Sequence, residues 1–209
     1  KSRLLKNIER NYRLKMSPVA HHAKHLLELK DLSIFYGDKR VCEKVSISLE
    51  RGDRVALCGK NGSGKSSLLR LICGEQLVYS GIFCQAGQLK ISYVPQDTSR
   101  LRGDLSAFAA ANGIDETLFK TCLRQLDFAR VQFEKDMKDF SAGQKKKVLL
   151  AKSLCEPAHL FLWDEPLNFV DVISRLQIEE LLLEYSPTML FVEHDSEFCN
   201  NIATRIIEL

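Results

Sequence analysis

The glycine-rich stretch GKNGSGKSS constrains this chain more than any other feature, because it follows the apolar run RVALC and runs into the helical pattern SSLLRLIC. It matches G-x-x-x-x-G-K-[ST] at Gly59, Gly64, Lys65 and Ser66. Glycines let successive backbone N–H groups turn inward around an anion, and a helix start adds positive dipole. Strand, glycine loop and helix in this order predict a phosphate-binding loop. The alternative is a glycine-rich turn that precedes a helix by chance.

In such a loop, Lys65 is expected to reach the β- and γ-phosphates of a nucleotide and the Ser66 hydroxyl to bind Mg²⁺. The residues predicted to hold the phosphates are Gly59, Asn61, Gly62, Gly64, Lys65, Ser66 and Ser67.

Short apolar runs and helical stretches alternate after the loop. Helical periodicity covers residues 172–184, and a shorter helix is predicted from Asp195. Alternation of this kind is typical of an α/β fold with a mostly parallel sheet wrapped by helices. The predicted strands are SGIFCQ, LKISYVPQ, HLFLW, TMLFVEH and RIIEL.

Two regions depart from this alternation. Before the loop, LLELKDLSIFYG and KVSISL predict a small sheet region. Residues 104–139 are predicted to be helical, with Asp115 as a helix N-cap. At the start of the chain, helical spacing continues to Met16 and breaks at Ser17.

Polar side chains follow three of the predicted strands. Asp164, at the end of a buried strand, suits a Mg²⁺ ligand, and Glu165 beside it suits the general base that deprotonates an attacking water. A solvated acidic turn is the alternative. His194 is placed to contact the γ-phosphate, and Gln96 to meet both Mg²⁺ and the water. A structural histidine and an ordinary loop glutamine are the competing interpretations.

A second anion-binding feature occurs at FSAGQ, where Ser141 and Gln144 have the spacing of a capping box at a helix start. The competing interpretation is a capping box that holds no ligand.

In this order, GKNGSGKSS, YVPQD, FSAGQ, LFLWDEP and VEHD resemble the motifs of the ATP-binding cassette (ABC) ATPase domain over residues 26–209. The resemblance implies a P-loop fold of ABC type, with an antiparallel β-subdomain and a helical subdomain at about residues 100–150. It implies ATP and Mg²⁺ as cofactors, and hydrolysis of ATP that needs a second ABC domain for full activity. Tyr36 would then stack on adenine, and Asp171 would be the D-loop acid at the domain interface.

The same resemblance gives FSAGQ a role: in ABC pairs, which associate head to tail, this signature closes on the nucleotide that the partner domain holds. Ser141, Gly143 and Gln144 would therefore contact the ATP of the second domain. Ala142 stands where the signature usually has glycine.

DEPLNFVD is similar to the DEPTNHLD of the ABC-F family, whose soluble tandem ATPases act on the ribosome, and Asn168 carries that distinction. Leu167 and Phe169 replace the usual Thr and His. Residues 140–185 look like the second ATPase domain of the Lsa-like branch, which confers antibiotic resistance by ribosomal protection. Residues 1–25 would then be the end of an interdomain linker, and the protein would be cytoplasmic with ribosomal RNA as a partner.

Composition leaves two other functions open. The net charge of +3 among 209 residues excludes a polycation that coats nucleic acid, and no apolar run is long enough to span a bilayer. The ATPase subunit of a membrane transporter remains the alternative function, since such subunits are themselves soluble. The altered signature also fits a non-hydrolysing switch.

Cysteine and histidine usage predicts no metal centre. The seven cysteines form no C-x-x-C pair, which favours a reducing cytosol with neither disulfides nor zinc. HHAKH, with His21, His22 and His25, is interpreted as flexible linker rather than a metal site. The lysines of residues 145–147 favour a solvated helix face over a contact with RNA phosphates.

Overall fold

The computed structural model of the chain describes residues 13–209. They cluster into two compact units: a sheet unit of residues 18–96, 157–166 and 186–209, and a helical unit of residues 13–17, 97–156 and 167–185. The helix predicted for the first residues lies mostly outside the described part of the chain. Where that prediction reaches residues 13–16 it is wrong, because these residues contain no helix.

A parallel five-stranded sheet forms the centre of the sheet unit. Its strands are β3 (Arg54–Cys58), β5 (Ile91–Val94), β6 (Leu160–Asp164), β7 (Met189–Val192) and β8 (Arg205–Glu208), in the spatial order β5-β6-β7-β3-β8. Every residue of β6 and β7 is buried. Both are unbroken apolar runs up to their last residues, as expected of central parallel strands covered on both faces.

A three-stranded antiparallel sheet completes the strands of this unit. It consists of β1 (His25–Tyr36), β2 (Lys39–Glu50) and β4 (Val78–Gln85), with β1 in the middle. Apolar residues of both sheets share one core, which includes Leu29, Ile47, Leu57 and Leu162. The predicted α/β fold, with a parallel sheet and a separate antiparallel sheet, is therefore confirmed.

Two helices belong to the sheet unit. Helix α1 (Lys65–Ile72) follows β3 through the glycine loop, and its Leu68 and Leu69 are fully buried in the shared core. Cys73 is the C-cap of helix α1, and Gly74 follows with a left-handed φ of 94°, a conformation that glycine commonly supplies after a helix. Helix α6 (Ser196–Ile202) begins at Asp195, whose side chain accepts hydrogen bonds from the backbone of Glu197 and Phe198.

The helical unit contains four α-helices: α2 (Leu105–Ala111), α3 (Glu116–Gln125), α4 (Ala142–Cys155) and α5 (Val172–Tyr185). Asp104 and the predicted Asp115 cap α2 and α3. Continuous helix over residues 104–139 is too broad a prediction, because turns separate α2, α3 and two 3₁₀ turns, Arg130–Glu134 and Met137–Asp139. Gly113 is one cause, since its φ of 65° is incompatible with a right-handed helix.

The flexible-linker interpretation of HHAKH is wrong for His21, which is 3% exposed. Its Nε2 donates to the carbonyl oxygen of Gly87 at 3.0 Å, and its Nδ1 accepts from the backbone of Ala23 at 3.1 Å. Among residues 13–209, no cluster of three or more His, Cys, Asp or Glu side chains is arranged to hold a metal ion.

Candidate nucleotide site

The parallel sheet brings the predicted catalytic residues to one edge. Leu57 of β3 and Asp164 of β6 both pair with Val192 of β7, one on each side. Because parallel strands end at the same edge, the glycine loop after β3, Glu165 after β6 and His194 after β7 all start from that edge. The sequence predicted the side chains, and the strand order explains why they meet.

The glycine loop is built from left-handed residues. Gly59, Gly62 and Gly64 have φ angles of 136°, 84° and 92°. A Cβ on Gly64 would collide with the carbonyl oxygen of Val41, so this position needs glycine both for its φ and for its closeness to β2. Within the described residues, no side chain caps the start of α1 at Gly64. The helix therefore presents backbone N–H groups to an anion.

Lys65 lies inside the loop and is 6% exposed. Its Nζ donates to the carbonyl oxygens of Gly59 and Lys60, both at 2.8 Å, and lies 3.4 Å from the hydroxyl of Ser63. The ammonium group therefore occupies the concave side of the backbone turn that the glycines create. This position is suited to binding phosphate oxygens. Asn61 and Gly62 are exposed at the rim of the loop, and Ser66 is half-buried in the first turn of α1.

Tyr36 ends β1 and is 40% exposed. Its hydroxyl donates to Oγ of Ser67 at 3.4 Å, which places the ring beside the first turn of α1. The guanidinium of Arg70 lies 5.7 Å from the ring centre and contacts its π face. An exposed aromatic ring beside the phosphate loop is compatible with base stacking, while Arg70 was not predicted as a neighbour.

Glu165 and His194 contact each other: Oε1 of Glu165 lies 3.2 Å from Nε2 of His194. A carboxylate only accepts hydrogen bonds, so with Glu165 ionised the proton of the imidazole is on Nε2. The Glu165 side chain is 12% exposed and that of His194 48% exposed, so the pair reaches from the protein interior to solvent. Glu193, which sequence reasoning did not select, is buried beside them, and its Oε1 accepts from the backbone of His194 at 2.9 Å.

The three residues predicted to bind Mg²⁺ supply oxygen donors of the hard kind that this ion prefers. Asp164 is 1% exposed, at the end of β6. Ser66 offers a hydroxyl on α1 and Gln96 an amide oxygen two residues after β5, where it is exposed. A hydroxyl on the helix after β3, a carboxylate at the end of β6 and an amide after β5 fit a magnesium–nucleotide complex. The pKa of the nearby Tyr93 is raised, mainly by burial and secondly by the negative charge of Asp164.

The signature residues form the start of α4, in the helical unit. Oγ of Ser141 accepts from the backbone of Gln144 at 3.2 Å, and Oε1 of Gln144 accepts from the backbone of Ser141 at 3.0 Å. The predicted capping box is thus present. A Cβ on Gly143 would collide with the carbonyl oxygen of Phe169, so α4 lies against the segment that precedes α5.

An ion pair joins these same two segments: Nζ of Lys147 lies 2.6 Å from Oδ2 of Asp171. The solvated-face prediction for the three lysines is therefore wrong at Lys147 and also at Lys146, which are 8% and 2% exposed. Asp171 also accepts from the backbone N and the hydroxyl of Ser174, both at 2.9 Å. Burial by itself would raise the pKa of Asp171, but the hydrogen bonds from Lys147 and Ser174 lower it to about 2.

No signal in the sequence distinguishes Lys147 from its two neighbours. The three lysines are adjacent, and Asp171 lies on a different element. The fold alone selects which lysine faces the carboxylate.

The glycine loop, the buried Lys65 and the acidic end of β6 define a P-loop nucleotide-binding domain. Residues 42–168 match the family described as ABC transporter, and the chain belongs to this family as an ATP-binding domain. ABC domains bind ATP with Mg²⁺, hydrolyse ATP in general and work as pairs. Within residues 13–209, no helix combines the length and the apolar character that a membrane span requires.

Relatives and solved structures agree with this assignment. YdiF of Bacillus subtilis, named as an ATP-binding protein, is 32% identical over 189 residues, which cover 88% of this chain and 29% of YdiF. ABC transporter F family member 2 of Arabidopsis thaliana is 30% identical over 200 residues, covering 88% of this chain and 28% of that protein. The structure of a protein described as a cobalt transport ATP-binding protein superposes with a TM-score of 0.71 at 25% identity, covering 84% of this chain and 73% of that one.

The chain therefore spans about a third of the length of the curated relatives that it matches. Its similarity to the Arabidopsis protein and to the Uup proteins of several bacteria supports membership of the ABC-F family.

Proposed function

We propose that this domain hydrolyses ATP, with Glu165 as the general base and His194 as the residue that orients it. The observation that carries the proposal is the 3.2 Å contact between Glu165 and His194 at the same sheet edge as the glycine loop. Glu165 accepts a proton from the attacking water, and the Nε2 proton of His194 holds the carboxylate in position beside the γ-phosphate. Gln96 contacts the same water.

Binding of the nucleotide is assigned to the loop. Lys65 exchanges its contacts with the Gly59 and Lys60 carbonyl oxygens for phosphate oxygens, and the exposed N–H groups at the start of α1 bind the β-phosphate. Ser66, Gln96 and Asp164 hold Mg²⁺, which neutralises charge on the phosphates when it is bound. Tyr36 contacts the base, and Ser67 supports the ring of Tyr36 through its hydroxyl.

The signature residues Ser141, Gly143 and Gln144 act on the ATP of a second ABC domain. Two observations in the helical unit support this assignment. The start of α4 is exposed at Ser141, and large apolar side chains are exposed nearby in sequence to Asp171: Phe169 is 78% exposed, and Val172 and Ile173 are each 69% exposed. Adjacent exposed apolar side chains of this size are typical of a surface that a partner covers.

The whole protein is proposed to be a cytoplasmic ABC-F protein that acts on the ribosome and confers antibiotic resistance by ribosomal protection. Asn168 in DEPLNFVD and the ABC-F relatives support this function. Residues 26–209 form the ABC domain, with a helical subdomain at about residues 100–150, and residues 1–25 are the end of the linker that precedes it. The ribosome is contacted through the full-length protein.

Ribosome co-sedimentation tests this proposal. The full-length protein carrying Glu165→Gln, with the matching change in its other ABC domain, is centrifuged with ribosomes in the presence and absence of ATP. Pelleting that depends on ATP is the expected result, because a domain pair that cannot hydrolyse ATP stays closed. A matched protein that also carries Lys65→Ala, and so cannot hold the phosphates, remains in the supernatant.

The resemblance to the cobalt transport ATP-binding protein favours a second candidate, the ATPase subunit of a membrane transporter. Under that function, the Glu165→Gln protein stays in the supernatant with ribosomes under both conditions and copurifies with a membrane protein. This outcome rejects the ribosomal role while leaving the ATPase assignment intact, since turnover of the wild-type protein is measured separately.

A further inference from the structure

Two cysteines of the helical unit lie side by side. Cys122 is on α3, and Cys155 is the last residue of α4. Their side chains are 4% and 9% exposed, and the two thiols hydrogen-bond to each other. Neither residue takes part in the proposed nucleotide site. The contact joins the C-terminal end of the helix that begins at the signature to the neighbouring helix.

A pocket of 250 Å³ borders both thiols. It is also lined by Leu118, Thr121 and Leu154, with Tyr185 and residues 15–17 on its other sides. A water molecule occupies about 30 Å³ in the liquid, so a small polar oxidant such as hydrogen peroxide fits this pocket with room to spare. The buried thiol pair is therefore within reach of a small solute, although it lies away from the protein surface.

The two thiols are chemically different. The hydrogen bond from Cys122 lowers the pKa of Cys155, against the opposing effects of burial and of the charges of Glu156 and Asp115. The same hydrogen bond, together with burial, raises the pKa of Cys122. Since the thiolate is the reactive form of cysteine, Cys155 is assigned as the nucleophile of the pair and Cys122 as the thiol that resolves its sulfenic acid.

We propose that Cys122 and Cys155 form a redox-active thiol pair that hydrogen peroxide converts to a disulfide. In the first step, the Cys155 thiolate attacks one oxygen of peroxide, the O–O bond breaks, and a sulfenic acid and hydroxide form. In the second step, the Cys122 sulfur displaces the sulfenic hydroxyl group, its proton leaves with that group as water, and the S–S bond forms. The sulfur atoms together lose two electrons, which reduce peroxide to water and hydroxide.

A second thiol contact provides an internal comparison. Cys199 contacts Cys58 in the sheet unit, and burial, Cys58, Glu193 and Asp195 raise the pKa of Cys199 to about 12. Sγ of Cys199 also lies 3.7 Å from the carbonyl oxygen of Glu193. The raised pKa of Cys199 disfavours its thiolate, so oxidation of this pair is expected to be slower than that of Cys122 and Cys155 by about tenfold or more.

Peptide mass spectrometry tests the proposal on the intact chain. The protein is treated with hydrogen peroxide, quenched with catalase, alkylated in denaturant and digested with trypsin without reduction. The expected product joins peptide 121–124 to peptide 153–175, with a mass about 2 Da below the sum of the reduced peptides, and dithiothreitol removes it. Recovery of both cysteines as alkylated thiols, while the exposed Cys73 and Cys84 are oxidised, would overturn the proposal.

Two variants test the order of the steps. In Cys122→Ser, the sulfenic acid of Cys155 persists and is trapped by dimedone. In Cys155→Ser, oxidation of Cys122 falls to the level of the 58–199 pair. Trapping at Cys122 in the second variant would contradict the assignment of Cys155 as the nucleophile, and circular dichroism of both variants checks that they fold. The wild-type measurement does not depend on either variant.

Discussion

Glu165 has a left-handed backbone, with a φ of 48°, immediately after the buried strand β6. This conformation is costly for a residue with a side chain, by about 1–3 kcal/mol, and is maintained where the surrounding structure fixes it. Here the backbone N–H of Glu165 donates to the carbonyl oxygen of Val192 at 3.0 Å. The turn directs the carboxylate of Glu165 towards His194, a direction that a continued β-strand would not have given it.

Glu165→Gln is predicted to slow ATP hydrolysis by about 10²- to 10⁴-fold while leaving ATP affinity nearly unchanged. The amide keeps the shape of the side chain and loses the ability to accept the proton of water. Single-turnover hydrolysis and nucleotide binding are the two measurements. Glu197→Gln, on the exposed first turn of α6, serves as the control and keeps wild-type turnover. Equal turnover in the two variants would place the base on another residue.

Lys147→Met is predicted to make the free energy of unfolding fall less steeply between pH 4 and pH 2. The pKa of Asp171 in the folded protein is about 2, below its ordinary value of 3.8, so its stabilising effect is present above pH 4 and is lost as the pH falls through 2. Without Lys147 the folded pKa moves towards 3.8, and less stability is lost between pH 4 and pH 2. Since the carboxylate is 43% exposed, screening limits the difference to about 1 kcal/mol. Urea unfolding at pH 2, 4 and 7 measures it, and an unchanged pH dependence would contradict the role of the ion pair.

At the scale of elements, helix α4 carries both the capping box of the FSAGQ segment and the lysine that pairs with Asp171. Its first turn holds the capping box of Ser141 and Gln144, and its second turn holds Lys147, which pairs with Asp171 before α5. Contact of Gly143 with Phe169 and the ion pair at Lys147 fix the same two segments at successive turns. The start of α4 and the segment before α5 therefore belong to one packed arrangement.

Gly143→Ala is predicted to lower stability by about 1–3 kcal/mol and to reduce ATP turnover of the domain pair, because its Cβ would push α4 away from Phe169. Gly87→Ala is the matched control, since a Cβ there meets nothing within 4 Å and its φ is not left-handed. Thermal unfolding and ATP turnover are measured for both variants. A Gly143→Ala protein as stable and active as the control would show that the close contact with Phe169 contributes to neither stability nor ATP turnover.

Ser141→Ala is predicted to destabilise α4 by about 1 kcal/mol through loss of the cap, and to weaken turnover beyond what that loss of stability explains if Ser141 also meets a nucleotide. Asp115→Ala removes the equivalent cap from α3 and is the control for stability alone. Turnover measured at a temperature where both variants are folded separates the two effects.

At the scale of the whole molecule, ABC domains work as pairs. Under the proposed function, the chain supplies half of each of two composite sites: the glycine loop in the sheet unit and FSAGQ in the helical unit. In that proposal, the exposed apolar side chains around Phe169 are the surface that the partner covers.

For the isolated 209-residue chain, ATP turnover per chain is predicted to rise with chain concentration, since a second copy must supply the other domain of the pair. Ile173→Lys, which places a charge on the exposed apolar surface, is expected to lower turnover by about tenfold at a fixed concentration. Val131→Lys is the control, because Val131 is 59% exposed elsewhere in the helical unit. First-order turnover that is independent of dilution would contradict the requirement for a pair.

Local patterns in the sequence were enough to predict the phosphate loop, the adjacent carboxylates at the end of β6, the capping box and the α/β class. Each of these features depends on residues close together in the chain. Glycines permit left-handed turns, apolar runs form buried strands, and an N-cap serine accepts a hydrogen bond from the backbone N–H three residues ahead. Residues 104–139 were predicted less well, because helical residue types do not show where Gly113 breaks the helix.

Tertiary structure alone decided which distant residues meet. The contact of Glu165 with His194 follows from the adjacency of β6 and β7, and the pairing of Lys147 with Asp171 follows from the packing of α4 against the segment before α5. Burial of His21 depends likewise on the carbonyl group of Gly87. Sequence determines local conformation through short-range sterics and hydrogen bonds, whereas partners far apart in the chain are selected by how the elements pack.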